Sequence, residues 1–268
     1  MSGHAGAWRS GEDVQRLENV LNDTPTPART RRALLERASV GLLAAGSGSM
    51  LVTGCGGTSS RQDASHASSG VAGREAIATI INTAITAEAL AITYLSAVIP
   101  KAPGTPVERF APVLKAANQS EYYHYRALAG LGAKPLTTTF WVPDYFFGTN
   151  LDEVWGTLEV AETLFVNAYL IATTAFAQAG QSTLARYAVE IGAVEAEHLA
   201  LARFAGGKMP PNDLGFTAYA ITEIGQITAA LEAAGVGFGR RGDKPGKFVT
   251  FAPPPPGTTV PIGEPNPT

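Results

Sequence analysis

The chain of 268 residues holds a single cysteine, Cys55, so no disulfide can form within it. Positive charge is not in excess: 20 Lys and Arg stand against 23 Asp and Glu, a net charge of −3 that offers no basic face to nucleic acid. There is no glycine-rich phosphate loop, no G-x-G-x-x-G turn and no Ser, His and Asp arrangement to carry catalysis. Regular alternation of strands and helices is almost missing as well, which argues against a solute-binding architecture. Histidine is scarce: beyond Cys55 only His66, His124 and His198 occur.

Two of those three histidines close Glu-x-x-His motifs, and that is the strongest pattern in the chain. Glu88, Glu121, His124, Glu162, Glu195 and His198 spell E, ExxH, E, ExxH across four apolar, helix-patterned segments. Glu88 and Glu121 lie 33 residues apart, and so do Glu162 and Glu195, which implies two related halves. Ala87-Glu88-Ala89-Leu90 is answered by Ala161-Glu162-Thr163-Leu164. On a helix, residues i and i+3 share a face, so each Glu-x-x-His can direct both side chains to one spot.

The neighbours put that spot inside. Ile77, Ile81, Ala84, Ile85, Glu88, Ile92, Leu95 and Ile99 follow one helical stripe, which Glu88 interrupts. Glu121 with His124, and Glu195 with His198, break the stripes of the second and fourth segments in the same way. Buried carboxylates brought together repel one another unless cations compensate them. Two-metal four-helix bundles use this inventory, one Glu from each of two helices and Glu-x-x-His from each of the other two. Four carboxylates and two imidazoles suit Fe, or alternatively Mn, better than Zn. A network of hydrogen-bonded carboxylates and imidazoles without metal is the competing reading. Glu159, one turn before Glu162, could serve in its place, although it breaks the 33-residue register. Glu190 and Glu197 fall beside the stripe and are left out of the ligand set.

The stretch from about Gly73 to Gly206, half of the chain, resembles the ferritin-like superfamily. Its motifs ITAEALAITYL, SEYYHYRAL, EVAETLFVNAYL and AVEAEHLALAR are similar to those of bacterial ferritin-like domain proteins, including those associated with desiccation and stress. The resemblance implies an all-α, ferritin-like four-helix bundle of two antiparallel hairpins joined by a long crossover. It implies Glu88 and Glu162 as terminal ligands, Glu121 and Glu195 as bridging ligands, and His124 and His198 completing two Fe ions. An oxidoreductase of the ferroxidase or peroxide-handling kind follows, with O2 or H2O2 as oxidant. The alternative within the family is a non-enzymatic envelope protein. The chain lacks the paired cysteines of a rubredoxin module, so a reductant must come from outside.

A second signal stands near the front. Arg31-Arg32 precede a small, apolar run from Ala38 to Thr53, followed by Gly54-Cys55. This resembles a twin-arginine export signal, with Glu36 where a basic residue is common, ending in a lipobox, Leu51-Val52-Thr53-Gly54-Cys55, whose cysteine takes the lipid. Retention of Leu34 to Thr53 as a membrane helix is the second reading, disfavoured by Glu36, Arg37 and several Gly and Ser. The expected protein is exported and lipid-anchored to the outer face of the cell membrane. A lipid at one end and a Pro-rich tail at the other suit a monomer or small homo-oligomer better than a closed cage.

The organisation expected is a signal over 1–55, a flexible tether over 56–72, the bundle over 73–206, a C-terminal helix and turn over 207–240, and an extended or disordered Pro-rich tail over 241–268. Helices are expected at about Gly73–Ile99, Val107–Leu131, Leu151–Ala179, Ser182–Ala205 and Thr217–Ala234, each stopped by Gly or Pro. The crossover, Gly132 to Asn150, carries Phe140, Trp141, Tyr145, Phe146 and Phe147, expected to pack over the helices. Arg241-Gly242-Asp243 reads as a solvated turn.

Overall fold

The computed structural model describes residues 63–148, 150–217, 219 and 221–263, with side chains from Ile77 onward except Leu151. Arg31, Arg32 and Cys55 lie outside these residues. The described chain is mostly helical: α1 Asp63–Val98, α2 Ala111–Gly130, α3 Leu151–Gln178, α4 Ser182–Ala205 and α5 Ile224–Ala233. It adds a small sheet of β1 Thr139–Pro143, β2 Gly237–Phe238 and β3 Gly246–Thr250, so the all-α expectation is corrected to helices with one sheet.

Helices α2, α3, α4 and α5 end in the same way. Gly132, Gly180, Gly207 and Gly235 follow the last turn at φ between 70° and 97°, a left-handed conformation that costs a residue with a Cβ. In α3, Gln181 N–H donates to Phe176 O at 2.8 Å and Gly180 N–H to Ala177 O at 3.0 Å, closing the last carbonyls before the chain reverses into α4. At the start of α3, Asn150 accepts from Glu153 N–H at 2.8 Å, and Asp152 and Glu153 sit favourably in the first turn. Helix α1 packs on α2, α3 on α4, α1 on α3, and α2 on α4, so the two hairpins face each other.

Helix α1 begins at Asp63, inside the stretch expected to be a tether. That stretch has no apolar stripe to betray a helix, but it also contains no proline, and extending a helix already formed costs far less than nucleating one. Helix α5 is shorter than expected because it starts at a capping box, Glu223 with Gln226.

The larger correction is the tail. β1, in the crossover, is the central strand, antiparallel to β2 and β3, with Phe140 opposite Phe238 and Val249. Phe140, Phe146 and Phe147 enter the main core with Leu95, Trp155 and Leu231, each large apolar side chain contributing about 1.5–3 kcal/mol by burial. Trp141 Nε1 donates to Lys244 O at 2.9 Å, and Arg241 lies over the same ring at 4.9 Å, so the turn is docked. Beyond β3, Phe251 stacks on Tyr125 with centroids 4.6 Å apart. Thr258 is 3% exposed, held by the fully buried Asn118 through its carbonyl at 3.0 Å and its hydroxyl at 3.3 Å.

Asn118→Ala should strip Thr258 of its buried donor and cost about 1–3 kcal/mol. Urea denaturation and limited proteolysis check this: the tail should become cleavable before the helices unfold. Unchanged stability together with an uncut tail would refute the docking role.

Candidate metal centre

The elements just described bring all six sequence-predicted residues to one place. Glu88 comes from α1, Glu121 and His124 from α2, Glu162 from α3, and Glu195 and His198 from α4. All are buried, none more than 9% exposed. They form two groups of four ligand atoms, each group within 4.8 Å of itself: Glu88, Glu121, His124 and Glu195, and Glu121, Glu162, Glu195 and His198. Glu121 and Glu195 belong to both.

The distances repeat across the two halves. His124 Nδ1 lies 3.0 Å from Glu195, 3.4 Å from Glu121 and 3.8 Å from Glu88. His198 Nδ1 lies 3.0 Å from Glu121, 3.2 Å from Glu195 and 4.0 Å from Glu162. Each imidazole therefore meets both shared carboxylates and one unshared carboxylate.

Many of these atoms have no hydrogen-bond partner: Glu88 Oε2, both oxygens of Glu121, His124 Nδ1, Glu162 Oε2 and Glu195 Oε1. Orphaned acceptors that converge inside a protein are costly unless something positive binds them. Hard divalent ions hold oxygen and nitrogen donors at about 2.0–2.2 Å, so opposed donors stand up to about 4.4 Å apart. The 4.8 Å limit of each group is within a small side-chain adjustment of that span. The cluster could hold a metal ion.

Protonation is shaped by the same crowding. Burial, then the Glu121 and Glu195 charges, hold the Glu88 carboxyl well above its ordinary value. Burial also raises Glu162 strongly, with His198 opposing and Glu195 and Glu121 adding to it. For Glu121 burial again pushes upward, but contacts with His124 and His198 outweigh it and hold the carboxyl below the usual range. Burial pulls both imidazoles down, yet the surrounding carboxylates raise them well above normal, Glu195 acting most on His124 and Glu121 on His198.

Glu159 does not compete with Glu162: it pairs with Lys208 at 2.8 Å, away from the cluster. Glu190 and Glu197 are exposed, Glu190 pairing with Arg186 at 3.1 Å. Sequence reasoning missed Tyr169, which is buried and donates its hydroxyl to Glu88 Oε1. The available signal was its position seven residues after Glu162, on the same helix face. A Cβ on Gly192 would stand 3.0 Å from the Tyr169 Cβ, so this glycine lets the ring lie close to α4. Comparison with protein-family models, with curated proteins and with solved structures finds no match to this chain.

A pH dependence follows from the raised and lowered groups. Glu88, Glu162, His124 and His198, raised in the fold, stabilise it fully below their ordinary values of 4.5 and 6.5, and that contribution is lost as pH climbs through the raised values. Glu121, lowered, contributes above 4.5 and loses its effect only in acid. Metal-free protein should thus lose stability as pH rises above 4.5, where the unfolded glutamates give up their protons, and more steeply above 6.5, where the unfolded imidazoles do, by about 1.4 kcal/mol per pH unit for each proton retained only in the fold. Urea titrations at stepped pH measure it, and a flat or rising profile in this range would contradict the charge arrangement.

Proposed function

We propose that the chain is a ferritin-like dinuclear metal protein, a di-iron protein with manganese as the alternative, acting as an oxidoreductase of the ferroxidase or peroxide-handling kind. The observation that carries this reading is the sharing of Glu121 and Glu195 between two groups of buried donors, each completed by its own Glu and His. Glu88 with His124 would hold one ion, Glu162 with His198 the other, and the shared carboxylates would span both. The mostly helical fold, with two hairpins face to face and each donor set drawn from several helices, supports the ferritin-like bundle within it.

Two ferrous ions held there would supply two electrons to an oxidant such as O2 or H2O2. The side chains have tasks of their own. Tyr169 fixes Glu88 by occupying one of its oxygens. Burial keeps the carboxylates from water, so they interact strongly with whatever charge lies between them. The protons carried by Glu88, Glu162 and the imidazoles must leave as metal enters.

We place the protein outside the cell membrane, lipid-anchored through Cys55 after twin-arginine export, as a monomer or small oligomer. Arg31-Arg32, the apolar run and the Leu51 to Cys55 lipobox support that reading. Twin-arginine export carries folded proteins, which suits a domain that loads metal before it crosses.

Metal analysis of the purified chain should find about two Fe or Mn per molecule. Glu88→Ala should retain about one, since it touches one group, whereas Glu121→Ala with His198→Ala should retain none. Absence of metal from a natively folded wild-type chain would overturn the proposal. It would leave the competing reading, a non-enzymatic stress-related envelope protein whose buried carboxylates are balanced by protons.

A further inference from the structure

A cavity of about 40 Å³ lies where α1, α3, α5 and the crossover meet, walled by Leu90, Tyr94, Phe146, Leu158, Phe165 and Leu231. One of the six candidate ligands, Glu162, is also in its wall, and Glu162 Oε2 is one of the cluster's buried oxygens without a hydrogen-bond partner. Glu88, at the other end of the cluster, does not line it and is capped by Tyr169. A neighbouring cavity of about 50 Å³, beside Thr83, Leu136, Ile227 and Phe238, reaches none of the six.

Size and lining define what the first cavity can take. A water-sized sphere needs about 10–15 Å³ of such volume, so the space accepts about three in succession, a length that fits a diatomic gas or a fragment of two or three carbons. Water itself fits badly, because a stable buried water needs two to four polar partners. Three polar side chains stand in the wall, Tyr94, Thr157 and Glu162, yet the surface that faces the cavity is almost wholly apolar: Tyr94 directs its hydroxyl to Val154 O, and Thr157 Oγ1 and Glu162 Oε2 are buried behind that surface.

We infer that this cavity is a binding pocket for a small apolar molecule, which it presents to Glu162 and not to Glu88. The proximity to metal rests on the dinuclear reading above; the pocket itself does not. Of the two oxidants named there, dioxygen is apolar and fits the lining, whereas hydrogen peroxide would have to bury two O–H donors against a surface that is almost wholly apolar.

Xenon is the probe, since dry apolar cavities bind it. In 129Xe NMR titrations the full chain, free of metal, should bind xenon saturably. Ala91→Leu, which places a larger side chain in the wall, should weaken binding at least about tenfold with metal content unchanged, and Ala161→Leu repeats the test should the first variant not fold. Loading with Mn(II) should broaden the bound-xenon signal strongly. Failure of the wild type to bind xenon, equal binding by both variants, or full Mn(II) loading without broadening would each overturn the pocket. Variant-sensitive xenon binding in a chain that takes up no Mn(II) would instead support the pocket and defeat the dinuclear reading.

Discussion

Four carboxylates share one space from which water is excluded, and such a space is stable only if about four positive charges accompany them. Two divalent cations supply that number. So do two imidazolium groups together with two carboxyl protons, which are the forms favoured by the raised values of His124, His198, Glu88 and Glu162. The cluster can therefore pass between protons and metal without becoming a buried net charge. Uptake of ions by such a cluster would be coupled to release of its protons. The rest of the fold serves the constraint by fixing depth: each helix must bring its Glu to the same level, which the 33-residue spacing within each hairpin and the glycine stops accomplish.

The six donors were legible in the sequence because each breaks an apolar stripe, and a polar residue on a buried face needs a reason. The ends of α2 to α5 were legible too, since glycine after the last turn is a local signal. What escaped lacked any local signal. β1 and β3 are short, and Thr139 and Thr250, which face each other, are 111 residues apart in the chain. Thr-Phe-Trp-Val-Pro and Gly-Lys-Phe-Val-Thr do not alternate apolar with polar residues, and five residues do not reveal such a partner. The early start of α1 escaped because Ala, Ser and Gly without a stripe look the same in a tether and in a helix extension. Tyr169 escaped because its counterpart in the other half, seven residues after Glu88, is Leu95.

That last pair shows how the two halves diverge around a shared plan. The second half repeats the first at an offset of 74 residues for all the donors, Glu88 to Glu162, Glu121 to Glu195 and His124 to His198. Three residues before each Glu-x-x-His the repeat holds Asn118 in one hairpin and Gly192 in the other. Gly192 makes room for Tyr169, which caps Glu88. Among the described residues no phenol caps Glu162, and beside it the core leaves the apolar cavity. Two donor groups of the same composition thus have different surroundings, one closed by a hydrogen bond and one bordered by an apolar cavity.

Asn118 gives the divergence its other consequence. Two helical stretches are apolar enough to cross a membrane, Ile77–Lys101, which runs from α1 into the turn after it, and Asp152–Gln178 in α3, yet most of each is buried within the protein. A helix can be that apolar in a protein interior only if it is covered on several sides, and two hairpins alone leave outer faces bare. Helix α5 and the crossover cover one side through Leu231, Phe140 and Phe146. The tail covers another, with Phe251 on Tyr125 and Thr258 on Asn118. Asn118 lies one turn from Glu121 and is as fully buried as that carboxylate. Detaching the tail would therefore expose a polar side chain on the very face that holds the shared ligand, and water admitted there would weaken the charge interactions on which the cluster depends. The segment that composition marks as an appendage is in this way part of the seal around the site.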